Sequence, residues 1–210
     1  MQFPNAAKGV SRIHTAVILA LIAEIAVIIG AIVALIGAGA GSGGLAIGGG
    51  IFVIASPILL IISFILNIVG VNNASKDEDA FKSAMIAIIV GIIASVLASI
   101  FSGKEVINMI CTAVSKICEL LVTWYCVTGI GNLAVKLGDS AVKEKADNII
   151  KIIMATYIIS IICTIIAAIF TGKFMTNLAS VLSIIAAVFS IATYIMYLSL
   201  LSKGKKMLNS

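Results

Sequence analysis

The chain has 210 residues, 61% of them hydrophobic and 11% charged, with a formal net charge of +5 and a mean hydropathy of +1.24. Soluble domains carry about 45–50% apolar and about 25% charged residues, so a soluble globular fold and a disordered chain are both excluded, and 4 Cys do not make a disulfide scaffold. Too few charges exist to cover a nucleic-acid-binding face; the expected partner is the lipid bilayer and the expected class an all-α polytopic membrane protein.

A spanning helix needs about 20 mostly apolar residues, and six windows qualify, running 13–36, 50–71, 80–101, 106–134, 149–170 and 176–201. The windows are rich in β-branched Ile. They are too long and too uniformly apolar for barrel strands, which are about 10 residues long and alternate in polarity. In lipid a long apolar run must close its hydrogen bonds internally, which selects helix. The first window exceeds the 7–15 residues of a signal-peptide core and reads as a retained span. Between the first two windows, the run from Gly37 to Gly50 is nearly all Gly, Ala and Ser and reads as a flexible linker. It lacks the Lys and Ser/Thr of a phosphate loop. Pro57, inside the second span, predicts a kink.

Basic residues set the orientation. Lys8, Arg12, Lys76, Lys82, Lys136, Lys143, Lys145, Lys151, Lys203, Lys205 and Lys206 fall on one side of the predicted membrane. Only Lys104 and Lys173 fall on the other, and Lys116 lies inside the fourth span. Both termini are therefore expected in the cytoplasm, in a multi-pass protein of the cytoplasmic membrane.

Shifting the chain by 69 residues places Lys82 on Lys151, Phe101 on Phe170, Gly103 on Gly172, Lys104 on Lys173, Asn108 on Asn177, Tyr125 on Tyr194 and Lys136 on Lys205. A looser match sets Asn72, Ala74 and Lys76 on Asn132, Ala134 and Lys136. The expected architecture is one membrane domain over 1–210, built of three tandem helical hairpins over about 12–76, 77–145 and 146–206. Parallel repeats of this kind relate by an axis along the membrane normal. Mitochondrial carriers also have three hairpins, but their Pro-x-Asp/Glu-x-x-Lys/Arg signature is missing from the sequence.

Small residues line one side of span three (Ala84, Ala87, Gly91, Ser95, Ala98, Ser102), with similar series on span five (Thr156, Ser160, Cys163, Ala167) and span six (Ser180, Ser183, Ala187, Ser190). They read as faces where helices approach closely.

Three charged residues lie within spans: Glu24, Lys116 and Glu119. Each costs at least about 2.5–3.5 kcal/mol at mid-bilayer on insertion scales, so such groups face the bundle interior and find partners. Lys116 and Glu119 are three apart and can pair on one helix. Asn108, Thr112, Lys116, Glu119, Thr123 and Cys126 form one polar stripe along span four, and Ser56, Ser63 and Asn67 a weaker one on span two. The candidate site is therefore an intramembrane polar site of Glu24, Lys116, Glu119, Thr112, Thr123, Asn108 and Asn67. It suits a small transporter or an ion or proton permeation unit. A buried cluster that fixes helix register is the structural counterpart, as in an accessory subunit or an immunity-type membrane protein. Lys116 and Glu119 align with Ile185 and Val188 across the repeat, so the third hairpin does not carry this chemistry.

Catalysis is not expected. His14 is the one His, Cys111, Cys118, Cys126 and Cys163 show no metal spacing, and every Asp lies outside the spans. No metal or cofactor is expected. The sign-alternating runs Lys76-Asp77-Glu78-Asp79 and Lys143-Glu144-Lys145 read as solvated helix ends. Protein partners, whether a second copy or a larger membrane complex, are not specified.

The stretches Leu66-Asn67-Ile68-Val69-Gly70, Asp77-Glu78-Asp79-Ala80-Phe81-Lys82-Ser83-Ala84 and Gly131-Asn132-Leu133-Ala134-Val135-Lys136-Leu137-Gly138-Asp139 resemble small multi-pass prokaryotic membrane proteins of unknown function. The resemblance spans helices two to six and implies no activity and no site residues. One Arg among 14 basic residues, with abundant Ile, fits an AT-rich prokaryotic genome.

Overall fold

The computed structural model describes residues 2–39, 43–169 and 173–209, with side chains described chiefly over 2–30, 55–157 and 191–209. Six α-helices follow one another: α1 (Pro4–Gly39), α2 (Gly43–Ala74), α3 (Asp79–Ile100), α4 (Glu105–Lys136), α5 (Ser140–Ile169) and α6 (Lys173–Asn209). Among the described residues four stretches are long and apolar enough to cross a membrane: Pro4–Gly30, Ala55–Ala74, Asp79–Ile100 and Val106–Lys136. Each helix packs on the next and α1 closes on α6, which makes a ring. Among the described residues α1–α2 is the most extensive contact and α2–α3 the lightest between neighbours.

The glycine-rich run corrects one expectation. Gly37–Gly39 belong to α1 and Gly43–Gly50 to α2, so these residues are helical rather than a linker. Glycine weakens a helix in water largely by the entropy of its free backbone, but an apolar setting penalises any backbone left without hydrogen bonds. α2 also continues through Pro57. Phe170 and Gly172 of the repeat comparison lie outside the described residues, as do the side chains of the small-residue series on spans five and six from Ser160 to Ser190.

Both termini and the two short turns at 75–78 and 137–139 lie at one end of the bundle, called here the terminal end. This end holds the core. Val10 and Ile13 of α1, Val71 of α2, Phe81 of α3, Val127, Ile130 and Leu133 of α4, Ile149 of α5 and Leu200 and Leu201 of α6 are all fully buried and cluster together. Small residues make the contact possible. A Cβ on Gly9 would lie 2.5 Å from the Gly70 carbonyl oxygen, and one on Gly70 would lie 2.7 Å from Ile13 Cγ1. α1 and α2 thus meet backbone to backbone. Gly129 of α4 leaves room for the Phe81 ring, whose Cε2 would stand 2.5 Å from an added Cβ.

Polar contacts finish the terminal end. Asp77 accepts hydrogen bonds from the Ala6 backbone N–H (2.7 Å) and from Asn5 Nδ2 (3.0 Å). It thereby caps the first turn of α1, which begins with Pro4 and has free N–H donors at the positive end of its dipole. Glu78 accepts from Lys136 Nζ (2.6 Å) and Asn132 Nδ2 (2.8 Å) of α4. Lys136 Nζ also stands 5.7 Å from the centre of the Phe3 ring. At the α4–α5 turn, Gly138 takes φ +73°, and the N–H groups of Gly138 and Asp139 reach the Val135 and Ala134 carbonyls. That is a Schellman stop. Asp139 Oδ1 then accepts from the Val142 N–H at 3.0 Å, capping α5. The expectation of merely solvated runs is therefore corrected for Asp77 and Glu78. It describes Asp79–Lys82, whose pair is exposed on both sides.

Candidate functional site

Beyond the packed end the ring encloses a cavity of about 850 Å³. All six helices line it, and Glu24 of α1, Asn67 of α2 and Lys116, Glu119 and Thr123 of α4 stand on its wall. Lys116 Nζ pairs with Glu119 Oε2 at 2.9 Å, one helical turn along. Glu24 feels the charge of Lys116 across the cavity, so the single charge on span one and the pair on span four share a space. Sequence spacing placed Lys116 beside Glu119. It had no means of placing Glu24 opposite them, because that depends on how α1 and α4 sit in the ring.

The polar stripe of α4 divides between three environments. At its start, Asn108 Nδ2 donates to the Ala98 carbonyl of α3 (2.9 Å), and Thr112 Oγ1 reaches Asn108 Oδ1 at 3.5 Å. Neither residue lines the cavity; they join α4 to α3 across the turn at 101–104. Lys116, Glu119 and Thr123 face the cavity. Cys126 is fully buried beyond it, hydrogen-bonded to Tyr197. A helix of this length turns through several neighbours, so a continuous stripe on a straight wheel does not meet one partner throughout. On α2, Ser63 Oγ donates to the Ala16 carbonyl at 2.7 Å, while Asn67 Oδ1 is buried with no donor among the described residues. The small-residue face of α3 meets α4: Gly91 approaches Cys118, and Ser95 bonds Ser115 at 2.8 Å.

Sequence reading missed the aromatic wall. Tyr157 of α5 and Tyr194 and Tyr197 of α6 line the cavity. Tyr157 and Tyr194 lie within electrostatic reach of Glu119, and Tyr194 also of Glu24. Thr156 and Thr193 bridge α5 and α6 beside them at 3.3 Å. The signal available was the match of Tyr125 with Tyr194 across the repeat, but both pack against the core and only Tyr194 lines the cavity. Leu60 and Phe64 of α2 and Ile92 and Val96 of α3 also line the cavity and are exposed. The cavity therefore has an apolar side where α2 and α3 pack most lightly. Among the described residues no three His, Cys, Asp or Glu side chains converge as a metal site.

The fold and the cavity define an all-helical protein with helices able to cross a membrane. No protein-family model, no curated protein and no solved structure matches the chain.

Proposed function

We propose that the chain is a cytoplasmic-membrane protein with both termini inside, acting as a small transporter or an ion or proton permeation unit through this cavity. One observation carries the reading. Glu24, Lys116 and Glu119, the three charges that the sequence sets in its predicted spans, all line one cavity. Intramembrane ionisable groups mark substrate and ion pathways by default. The three-hairpin repeat belongs to the same proposal. Parallel repeats meet near the midplane, where transporters hold their substrate; the extensive contacts of α1 with α2 and of α3 with α4 are compatible with the first two hairpins.

The fully buried cluster around Phe81, Ile130 and Leu133 fills the terminal end of the bundle. Passage to that side therefore requires the cluster to part, as in alternating access. Glu24 and Glu119 would hold the passing cation or proton, and Lys116 would limit the net negative charge to one.

The test is proton and ion flux into proteoliposomes of the purified chain. Flux above empty vesicles that falls in Glu24→Gln and in Glu119→Gln is expected. Flux that is absent, or equal in all three proteins, would leave the accessory-subunit role instead.

A further inference from the structure

We infer that the cavity binds an organic cation with a single positive charge on an apolar body, its charge held by Glu24 and Glu119. The inference rests on the transport reading above and names the substrate class of that site.

Charge, size and wall chemistry each bear on it. Two carboxylates and one ammonium leave one uncompensated negative charge when all three ionise, which suits a monovalent cation and no anion. Lys116 already pairs with Glu119, so Glu24, which among the described residues has Lys116 as its nearby opposite charge, is the stronger of the two anchors. The volume of about 850 Å³ lies within the range of about 300–1,000 Å³ of small-molecule sites. A dehydrated metal ion would instead need several oxygens at about 2.3–2.6 Å, and no such cluster converges among the described residues. The walls mix apolar side chains such as Leu60, Phe64, Ile92 and Val96 with polar ones such as Ser63, Ser95 and Thr123. Tyr157 and Tyr194 provide aromatic rings beside the carboxylates, and such rings attract cations by their quadrupole. The side wall of Phe64 and Ile92 provides contact for an apolar body.

The probe is tetraphenylphosphonium, titrated into the detergent-solubilised full chain, with tetraphenylborate as an anion of the same shape. Saturable binding of the phosphonium and none of the borate is expected. Glu24→Gln should weaken the phosphonium by about tenfold or more, the equivalent of one 1.4 kcal/mol step. Tyr194→Ala should weaken it about threefold to tenfold, and Tyr194→Phe, which keeps the ring, should retain it. Lys116→Gln should tighten binding, a gain that misfolding cannot produce. Equal binding of both probes, no phosphonium binding, or an unchanged affinity in Glu24→Gln would overturn the inference. Glu24-dependent proton flux without phosphonium binding would overturn the substrate class and leave transport standing. Saturable phosphonium binding without flux would support the site and remove the transport reading.

Discussion

Two lysine–carboxylate pairs occupy opposite settings in this bundle. Lys136 and Glu78 meet at 2.6 Å at the terminal end, and Lys116 and Glu119 meet at 2.9 Å on the cavity wall. The first pair joins α4 to the start of α3, and Glu78 is 7% exposed with a second donor in Asn132. The second pair lies within one helix, and the Glu119 side chain is 55% exposed. Burial alone would push the Glu78 carboxyl up. The hydrogen bonds from Lys136 and Asn132 and the Lys136 charge outweigh it and hold the carboxyl below the usual range. The same two groups thus serve as a clamp where the carboxylate is buried between two donors, and as an available site where the carboxylate stays exposed. Side-chain identity does not separate these roles; neighbours do.

Breaking the sealed end should have the largest effect. Gly70→Val would drive a side chain into Ile13 and the Gly9 carbonyl, neither of which can withdraw without separating α1 from α2. Overpacking of this kind costs about 3 kcal/mol or more where backbone must move. Thermal unfolding in detergent should show a sharply lower Tm, and an unchanged Tm would refute the backbone contact as a determinant of the fold.

Next comes the clamp. Lys136→Met leaves Glu78 with a buried, partly unpaired charge and should cost about 1–3 kcal/mol. Replacing both residues, as Glu78→Leu with Lys136→Met, should recover much of the loss, because a buried pair often does no better than apolar groups of similar size. A double variant less stable than Lys136→Met would show that the pair is irreplaceable.

The clamp also has a pH signature. Glu78 has a lowered folded pKa, so its contribution is complete above the unfolded carboxylate value of about 4.3 and is lost as pH falls through the folded value. Wild type should lose stability on acidification in that window, and Glu78→Gln should lose less. Parallel pH curves for the two proteins would contradict the assignment.

The cavity pair should matter least to stability. Glu119→Gln removes a charge from a roomy, partly exposed setting and should shift stability by no more than about 0.5 kcal/mol, while affecting flux. A loss comparable with that of Lys136→Met would make the two pairs equivalent and the cavity a structural cluster. Asp79→Asn, at the exposed pair with Lys82, should leave the unfolding curve unchanged.

Much of the fold was legible in the residues. Helix positions followed from apolar length, and α3 departs from its predicted window by a single residue at each end. α1 begins well before its window, at Pro4 rather than residue 13. Its polar start is capped by Asp77, a residue more than 70 positions away that local pattern cannot reveal. The helical glycine run was misread because a propensity measured in water was applied to an apolar chain. Of the candidate site, the Lys116–Glu119 pair could be read from spacing. Asn108 and Thr112 could not be separated from it, because the same stripe serves α3 at one end and the cavity further along. The Leu137-Gly138-Asp139 turn did carry its full signal, a left-handed stop followed by a cap, within three consecutive residues.

By itself, then, the sequence determined that this is an all-helical chain with several helices apolar enough to cross a membrane, where most of its helices end, and which three charges fall within its long apolar runs. Those properties follow from local composition, since each helix closes its own hydrogen bonds. Only the tertiary structure decided that Glu24 shares a cavity with Lys116, that Tyr157 and Tyr194 line the same cavity, and that Glu78 is a clamp rather than a solvated charge. These depend on the rotation of each helix about its axis. That rotation is set by close contacts such as Gly9 with Gly70 and Gly129 with Phe81, between residues far apart in the chain.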